Sequence, residues 1–253
     1  MTRALLLLLS LAACGPKTGD VEPLGAKSEL APAAAVFERY LRASSHDNPT
    51  IVQDIQSSYT TMTMEIPAMG MTAQTEMWWV APNKMLVQTK MEGMGTIIQG
   101  FDGEHGWMVD DTMGPRLLEG EELIQLKFQS DPYGDLNYNE RYSSLETVRK
   151  TDLAGEPVWE VKAVPKDWDT EIHYFFSTET GLLLGTEQEV ASPLGKMKAT
   201  TRFFDYRDVD GMLTPYRSEQ KVMGINQVIT IDSVELNPPS TPPIEVPPEL
   251  LAP

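Results

Sequence analysis

The feature that most constrains the fold is a period-two alternation of apolar and polar residues, which fills most of the chain after Pro49. Alternation of this kind is typical of strands that bury one face. Short segments rich in Gly, Pro and Asn interrupt it, and connections this short join neighbouring antiparallel strands. The pattern predicts strands over residues 56–66, 71–80, 84–91, 96–101, 145–153, 158–164, 171–177, 182–190, 197–206, 216–223 and 227–236.

Two segments have helical spacing of apolar residues instead, and they predict helices over 33–43 and 120–128. A sheet of about ten or more strands curls, so it has a concave and a convex face. The predicted fold is therefore mainly β (α+β), a single curled antiparallel sheet forming an incomplete β-barrel. We expect the N-terminal helix and a short second helix to cover its apolar concave face. The apolar stripe of the first helix, the expected lid or plug, is Val36, Phe37, Tyr40 and Leu41.

Methionine is concentrated in the first predicted strands, where ten of the fourteen methionines lie between Met62 and Met113. Unbranched, polarizable side chains repack readily around irregular apolar ligands, which favours a lipid-sized groove. The alternative is an ordinary sheet core sealed by the helix. Alternate positions along the strands give the candidate ligand-lining residues of the concave face: Met62, Met64, Met77, Trp79, Met85, Val87, Met91, Ile97 and Phe101.

The N-terminus has the layout of an export signal, because Arg3 precedes an apolar run that is too short to cross a bilayer. The run ends in Leu-Ala-Ala-Cys14, which resembles a bacterial lipobox, where the cysteine is diacylated and the chain is cut just before it. We predict a signal peptide over 1–13 and lipidation of Cys14 by acyl chains such as palmitate. Gly15 stands where an Asp would signal inner-membrane retention in Gram-negative bacteria, which favours an outer-membrane protein facing the periplasm. The alternative is an ordinary signal peptide with an incidental cysteine.

Composition suggests four regions. Small, polar and proline residues predict a flexible tether after Cys14, over 14–32. Seven of the sixteen residues over 238–253 are proline, which predicts an extended C-terminal tail, so the half-barrel domain spans 33–237. The formal net charge of −17 argues against nucleic acid as a partner, and we expect a monomer held at the membrane by its anchor.

Catalytic and metal-binding patterns are absent from the sequence. It has no HExxH, GxSxG, P-loop or dinucleotide-binding motif, and its three histidines are scattered. Residues 205–211 resemble a calcium loop only faintly and are better explained as a hairpin turn. Close methionine pairs such as Met62 and Met64 leave capture of Cu(I) or Ag(I) as a weaker alternative. We therefore expect no enzymatic activity, no cofactor and no metal site.

Five short motifs together resemble a known family. Their order and spacing are similar to those of the outer-membrane lipoprotein-sorting (LolA/LolB-like) superfamily over about residues 33–237. The motifs are WWVAPNKM at 78–85, FDGEHGW at 101–107, EGEEL at 119–123, FSTETGL at 176–182, and DYRDVDG at 205–211 followed by Pro215.

The resemblance implies an incomplete antiparallel barrel, lidded by helices, that holds acyl chains of lipoproteins or other lipids without chemistry. In this superfamily the outer-membrane receptor is lipidated and the soluble carrier is not, so Cys14 points to a receptor-like or other membrane-tethered relative. Such a receptor inserts an apolar loop into the membrane, and the turn at 68–71 is the best equivalent here. The leading hypothesis is an anchored envelope lipoprotein that binds lipid or acylated lipoprotein cargo. A structural or protein-binding envelope module with the same fold is the alternative.

Overall fold

The computed structural model describes residues 30–190 and 195–251. The predicted signal peptide, Cys14 and nearly all of the predicted tether lie outside the described residues. Their roles therefore stay predictions from the sequence.

The described residues form one antiparallel sheet of thirteen strands. The first six are β1 (Ser57–Ile66), β2 (Met71–Val80), β3 (Lys84–Met91), β4 (Gly95–Phe101), β5 (Gly106–Asp110) and β6 (Gly114–Leu118). The other seven are β7 (Tyr142–Leu153), β8 (Glu156–Pro165), β9 (Ile172–Ser177), β10 (Leu183–Val190), β11 (Met197–Val209), β12 (Met212–Val222) and β13 (Ile225–Leu236).

Each group of strands is a meander, and the two meanders are joined where β1 pairs with β13. The spatial order runs from β6 through β1 to β13 and on to β7, so β6 and β7 are the two edges and the sheet is not closed. The prediction of a mainly β fold built on one antiparallel sheet is confirmed. The incomplete barrel follows from these two unpaired edges.

The sequence prediction missed β5 and β6. Both strands are short, and each begins with glycine. Pro115 in β6 argues against a strand, but an edge strand tolerates proline because one side of its backbone needs no partner. The turn between them is held by the Asp110 carboxylate, whose Oδ1 accepts hydrogen bonds from the backbone N–H groups of Thr112 (2.6 Å) and Met113 (3.0 Å).

Both predicted helices are present, as α1 (Ala33–Ser44) and α2 (Gly120–Ser130). A further short helix, α3 (Tyr138–Arg141), and 3₁₀ turns over Pro49–Asp54, Pro67–Met69 and Pro248–Leu250 were not predicted. The segment with α2 and α3 connects β6 to β7, the two edges of the sheet. Since Leu126 of α2 packs among the inner methionines, this connection crosses the concave side and bridges the gap in the barrel.

The hairpin turn predicted near residue 211 is also confirmed. Val209 of β11 lies opposite Met212 of β12, and only Asp210 and Gly211 connect the two strands. Both connecting residues have positive φ, 49° and 87°, which is the backbone of a tight two-residue hairpin loop. Of the acidic side chains of this segment, Asp205 and Asp208 therefore lie on β11 and Asp210 lies in the turn.

The C-terminal proline-rich segment packs against the convex face of the first meander. Ile244 and Val246 are 4 % and 7 % exposed and contact Trp107 of β5. Trp107 lies opposite Gly100 of β4. A Cβ atom added at Gly100 would lie 2.1 Å from the indole ring, so glycine is required beneath this tryptophan. The segment therefore acts as a strap that seals an apolar patch on the outer surface.

Candidate functional site

A cavity of about 170 Å³ lies on the concave side, beneath the C-terminal half of α1. Its roof consists of α1, the 3₁₀ turn at Pro49–Asp54 and the loop at 131–136. Its floor is the inner face of the sheet, with contributions from β1 to β3 and from β9 to β13. The cavity therefore lies where the two meanders meet, and residues far apart in the sequence line it.

Only part of the methionine-rich face borders this cavity. Three of the candidate ligand-lining residues, Met77, Trp79 and Met85, line it. The remaining candidates do not line it and pack with Leu118 and Leu126 in a core cluster that also includes Met77 and Met85. These are Met62, Met64, Val87, Met91 and Phe101, which are buried, and Ile97, which is partly buried. This half of the concave face is therefore filled core, covered by α2.

The predicted lid residues also divide into two groups. Tyr40 and Leu41 line the cavity, whereas Val36 and Phe37 do not, although all four pack in one cluster. The Phe37 ring is 1 % exposed and lies 5.1–6.0 Å, between ring centroids, from four other aromatic rings: Tyr138, Tyr142, Tyr174 and Phe176. Aromatic packing thus holds α1 on the sheet through Phe37 and through Tyr40, whose ring lies 5.4 Å from that of Phe176, and only the C-terminal half of α1 covers the cavity.

Polar contacts tie α1 and the residues after it to the rim of the sheet. The Arg39 guanidinium donates to the carbonyl oxygens of Thr178 (2.8 Å) and Glu179 (2.7 Å) in the turn between β9 and β10. His46 Nε2 lies 2.7 Å from Asp208 Oδ2 of β11. A backbone hydrogen bond from Gly211, followed by the one to His46, lowers the pKa of Asp208. These contacts are solvent-exposed, so they hold α1 less firmly than the buried Phe37 does.

The far wall of the cavity combines strands β9 to β12 with α2 and the loop after β8, none of which gave a binding signal in the sequence. Phe203 of β11, Phe128 of α2 and Trp168 of that loop add aromatic surface there. Tyr206 also lines the cavity, and its hydroxyl donates to the carbonyl oxygen of Leu183. Burial raises the pKa of Tyr206, so this hydroxyl stays protonated and uncharged. The alternation in these strands predicts which residues share a face, but only the pairing of β1 with β13 brings that face to the methionines.

A row of polar side chains crosses the inner face of β9 to β13, and none of them was predicted as a site residue. Successive strand pairs align Tyr174 with Thr186, Thr186 with Thr201, Thr201 with Gln220, and Gln220 with Gln227. We call these five residues the polar row. The first three line the cavity, together with Gln188. The cavity is thus mostly apolar but has hydroxyl and amide groups along one wall.

Charged groups of the wall are confined to one loop. Asp131 and Asp135 line the cavity, and no Lys, Arg or His is among the described residues that line it. Arg141 lies behind the wall, where its Nη1 is 3.0 Å from Asp131 Oδ2 and its Nη2 donates to the Phe128 carbonyl oxygen at 2.5 Å. Its guanidinium carbon also lies 3.6 Å from the centre of the Phe128 ring. The Arg141 guanidinium is therefore already paired with Asp131 and Phe128 of the cavity wall.

Three further features bear on the sequence predictions. Within 30–190 and 195–251, His, Cys, Asp and Glu side chains form no group of three that would suit a metal ion. In the same ranges, every helix is too short or too polar to cross a membrane. Met69, in the turn expected to be an apolar loop, is 38 % exposed.

No family model matches this sequence, and no curated protein is similar to it in sequence. Solved structures do match. A LolA superfamily protein from Nitrosomonas europaea aligns with a TM-score of 0.54 and 13% identity, covering 88% of this chain and 98% of that one. A DUF1329 family protein from Desulfovibrio piger aligns with a TM-score of 0.53 and 13% identity, covering 84% and 96%.

A third match is a domain from Vibrio parahaemolyticus described as an outer membrane lipoprotein-sorting protein. Its TM-score is 0.52 at 11% identity, with 83% of this chain and 95% of that one covered. The chain therefore has a LolA/LolB-like fold, as the motif succession predicted. At these identities the likeness concerns the fold, and function has to be argued from the cavity.

Proposed function

We propose that this protein binds the acyl chains of a lipid or an acylated lipoprotein in the cavity beneath α1, and that it acts as a carrier or receptor without a chemical step. The observation that carries the proposal is the cavity itself, because it lies inside the curled sheet and has walls of aromatic and aliphatic side chains. An apolar chain that enters such a site leaves water, which contributes roughly 25 cal/mol per Å² of buried apolar surface.

The turn at Pro49–Asp54 supports a route for the chain to enter. It forms part of the roof, and among its residues only Val52 is buried. Val52 packs in a different cluster from Phe37. Movement of this turn would therefore widen the cavity without disturbing the aromatic cluster.

The cellular location of the protein is part of the same proposal. Lipidation at Cys14 would hold the domain at a membrane, and Gly15 favours the outer membrane, facing the periplasm. Acyl chains are available at such a surface, and a tethered domain meets them at high local concentration. The names of the structural neighbours from Nitrosomonas and Vibrio are consistent with a role in lipoprotein sorting.

Uptake of a fluorescent acyl probe tests the proposal, using a form that begins at Gly15 and therefore keeps every described residue. Thr186 lines the cavity, whereas Thr200 on β11 is partly exposed and does not line it. Thr186→Phe should fill the cavity and reduce probe binding by about tenfold or more, since bulk placed in a site that must hold the ligand costs at least 1.4 kcal/mol. Thr200→Phe is the matched control and should bind normally. Equal binding by both variants, or no binding by the wild type, would contradict the proposal.

A further inference from the structure

The polar groups of the cavity wall limit which acyl ligands it can hold. Thr186, Gln188 and Thr201 lie on the adjacent strands β10 and β11. Hydroxyl and amide groups donate and accept hydrogen bonds but carry no charge. A ligand that buries only hydrocarbon would leave them without partners, and each unpaired buried polar group costs free energy.

The Thr201 hydroxyl can donate a hydrogen bond to a ligand. Gln220 Nε2 donates to Thr201 Oγ1 at 3.4 Å, so the hydroxyl proton of Thr201 remains available to a ligand. Gln220 is 1 % exposed, and its Oε1 has no hydrogen-bond partner in the described structure. The wall therefore offers a donor that would suit a carbonyl or hydroxyl oxygen, backed by a buried amide.

The same wall opposes an anionic group. Asp131 and Asp135 are the only Asp, Glu, Lys, Arg or His side chains among the described lining residues, and both are acidic. Arg141 is engaged by Asp131 and by the Phe128 carbonyl and ring, and it does not line the cavity. A carboxylate or phosphate placed inside would find no cation and would lie near two carboxylates. Burying an unpaired charge is far more costly than burying a neutral polar group.

We propose that the cavity selects acylated ligands whose polar group is uncharged, an ester, amide or hydroxyl as in acylglycerols, over fatty acids and other anionic lipids. This selectivity rests on the proposed function of the cavity and specifies its ligand class. The neutral group hydrogen-bonds to Thr186, Gln188 and Thr201, and the acyl chain lies among the apolar and aromatic side chains.

Displacement of the neutral probe N-phenyl-1-naphthylamine tests this selectivity in the form that begins at Gly15. The competitors share one acyl chain: monododecanoylglycerol, dodecanamide and dodecanoate, at a pH where dodecanoate is ionised. We expect the two neutral ligands to displace the probe at concentrations about tenfold lower than dodecanoate, which corresponds to 1.4 kcal/mol. Equal potency, or stronger displacement by dodecanoate, would overturn the selectivity while leaving the proposed function intact. Failure of the probe and of all three competitors to bind would overturn both.

Two variants separate the effect of hydrogen bonding to the ligand from the effect of the acidic side chains. Gln188→Leu removes the amide but keeps the side-chain size, so it should reduce the preference for monododecanoylglycerol over dodecanoate, with both measured relative to the probe affinity of the same variant. Asp131→Asn removes a carboxylate and releases Arg141 from its ion pair, so it should strengthen displacement by dodecanoate several-fold. Normal preference in both variants would also overturn the proposal, because the groups that it invokes would then have no effect.

Discussion

The indole N–H of Trp79 donates a hydrogen bond to the backbone carbonyl oxygen of Ser130, 2.9 Å away. Trp79 lies on β2, whereas Ser130 is the last residue of α2 and is fully buried. The contact therefore fastens the end of the bridging helix to the sheet beside the cavity. Trp79 also meets Tyr133 edge to face, with ring centroids 5.7 Å apart.

Trp79→Phe should lower the free energy of unfolding by about 1–3 kcal/mol, because it leaves a buried carbonyl oxygen without its donor. Urea denaturation followed by circular dichroism measures the change. Trp78→Phe is the control, since Trp78 packs on the convex face next to Tyr59. A loss no greater for Trp79→Phe than for the control would mean that this hydrogen bond does not hold α2 in place.

The separation of core from cavity predicts different outcomes for two methionines on the same face. Met91→Ala should lower the free energy of unfolding by about 2–5 kcal/mol, because Met91 packs in filled core. Met77 lines the cavity, so Met77→Ala should enlarge it and improve the binding of acyl probes with a bulkier or branched chain. Chemical denaturation and probe titration on both variants give the comparison. Improved binding by Met91→Ala alone would show that the groove lies under α2 instead.

The C-terminal strap should contribute to stability. Ile244→Ala removes a buried side chain that contacts Trp107, so we expect a loss of about 2 kcal/mol and a change in tryptophan fluorescence. Glu245, its exposed neighbour, provides the control variant Glu245→Ala. If both variants unfold at the same urea concentration as the wild type, the strap does not stabilise the sheet.

A pair on the convex face, in which Glu160 is buried and His173 is partly exposed, predicts a pH dependence of stability. His173 Nδ1 lies 2.7 Å from Glu160 Oε1, and this hydrogen bond raises the pKa of His173 above 6.5. A histidine whose pKa is raised in the folded state contributes to stability. This contribution is present in full below the unfolded pKa of about 6.5 and is lost as the pH rises through the folded pKa. The free energy of unfolding should therefore fall as the pH rises above about 6.5 and through the raised pKa of His173, and His173→Gln should remove this decrease. The same decrease in the variant would assign the effect to other groups.

Most of the fold could be predicted from the sequence, because alternation and turn residues are local signals. The β11 to β12 hairpin at Asp210 and Gly211 is an example, since two residues of positive φ determine it. The two missed strands carry the opposite local signal, glycine and proline, and are tolerated because β6 is an edge. Their existence depends on the pairing of β5 with β4 and of β6 with β5, which local patterns do not express.

The candidate site was predicted only in part, for a physical reason. Met77 and Met91 both occupy alternate buried positions, so the pattern predicts that both face inward. Whether an inward side chain meets a helix or a cavity depends on where the β6 to β7 connection crosses the sheet. The polar row could not be predicted from the sequence for a similar reason. Thr186 and Gln220 come to lie in the same row only because β10 and β12 both pair with β11.

Native mass spectrometry of the form that begins at Gly15, purified from bacterial cells without detergent, tests the central claim most directly. We predict a species heavier than the protein by the mass of one acylated lipid, present in the wild type and in Thr200→Phe and strongly reduced in Thr186→Phe. Wild-type protein that appears only at its unliganded mass, and stays there after incubation with acylglycerols, would contradict the claim that the cavity binds lipid.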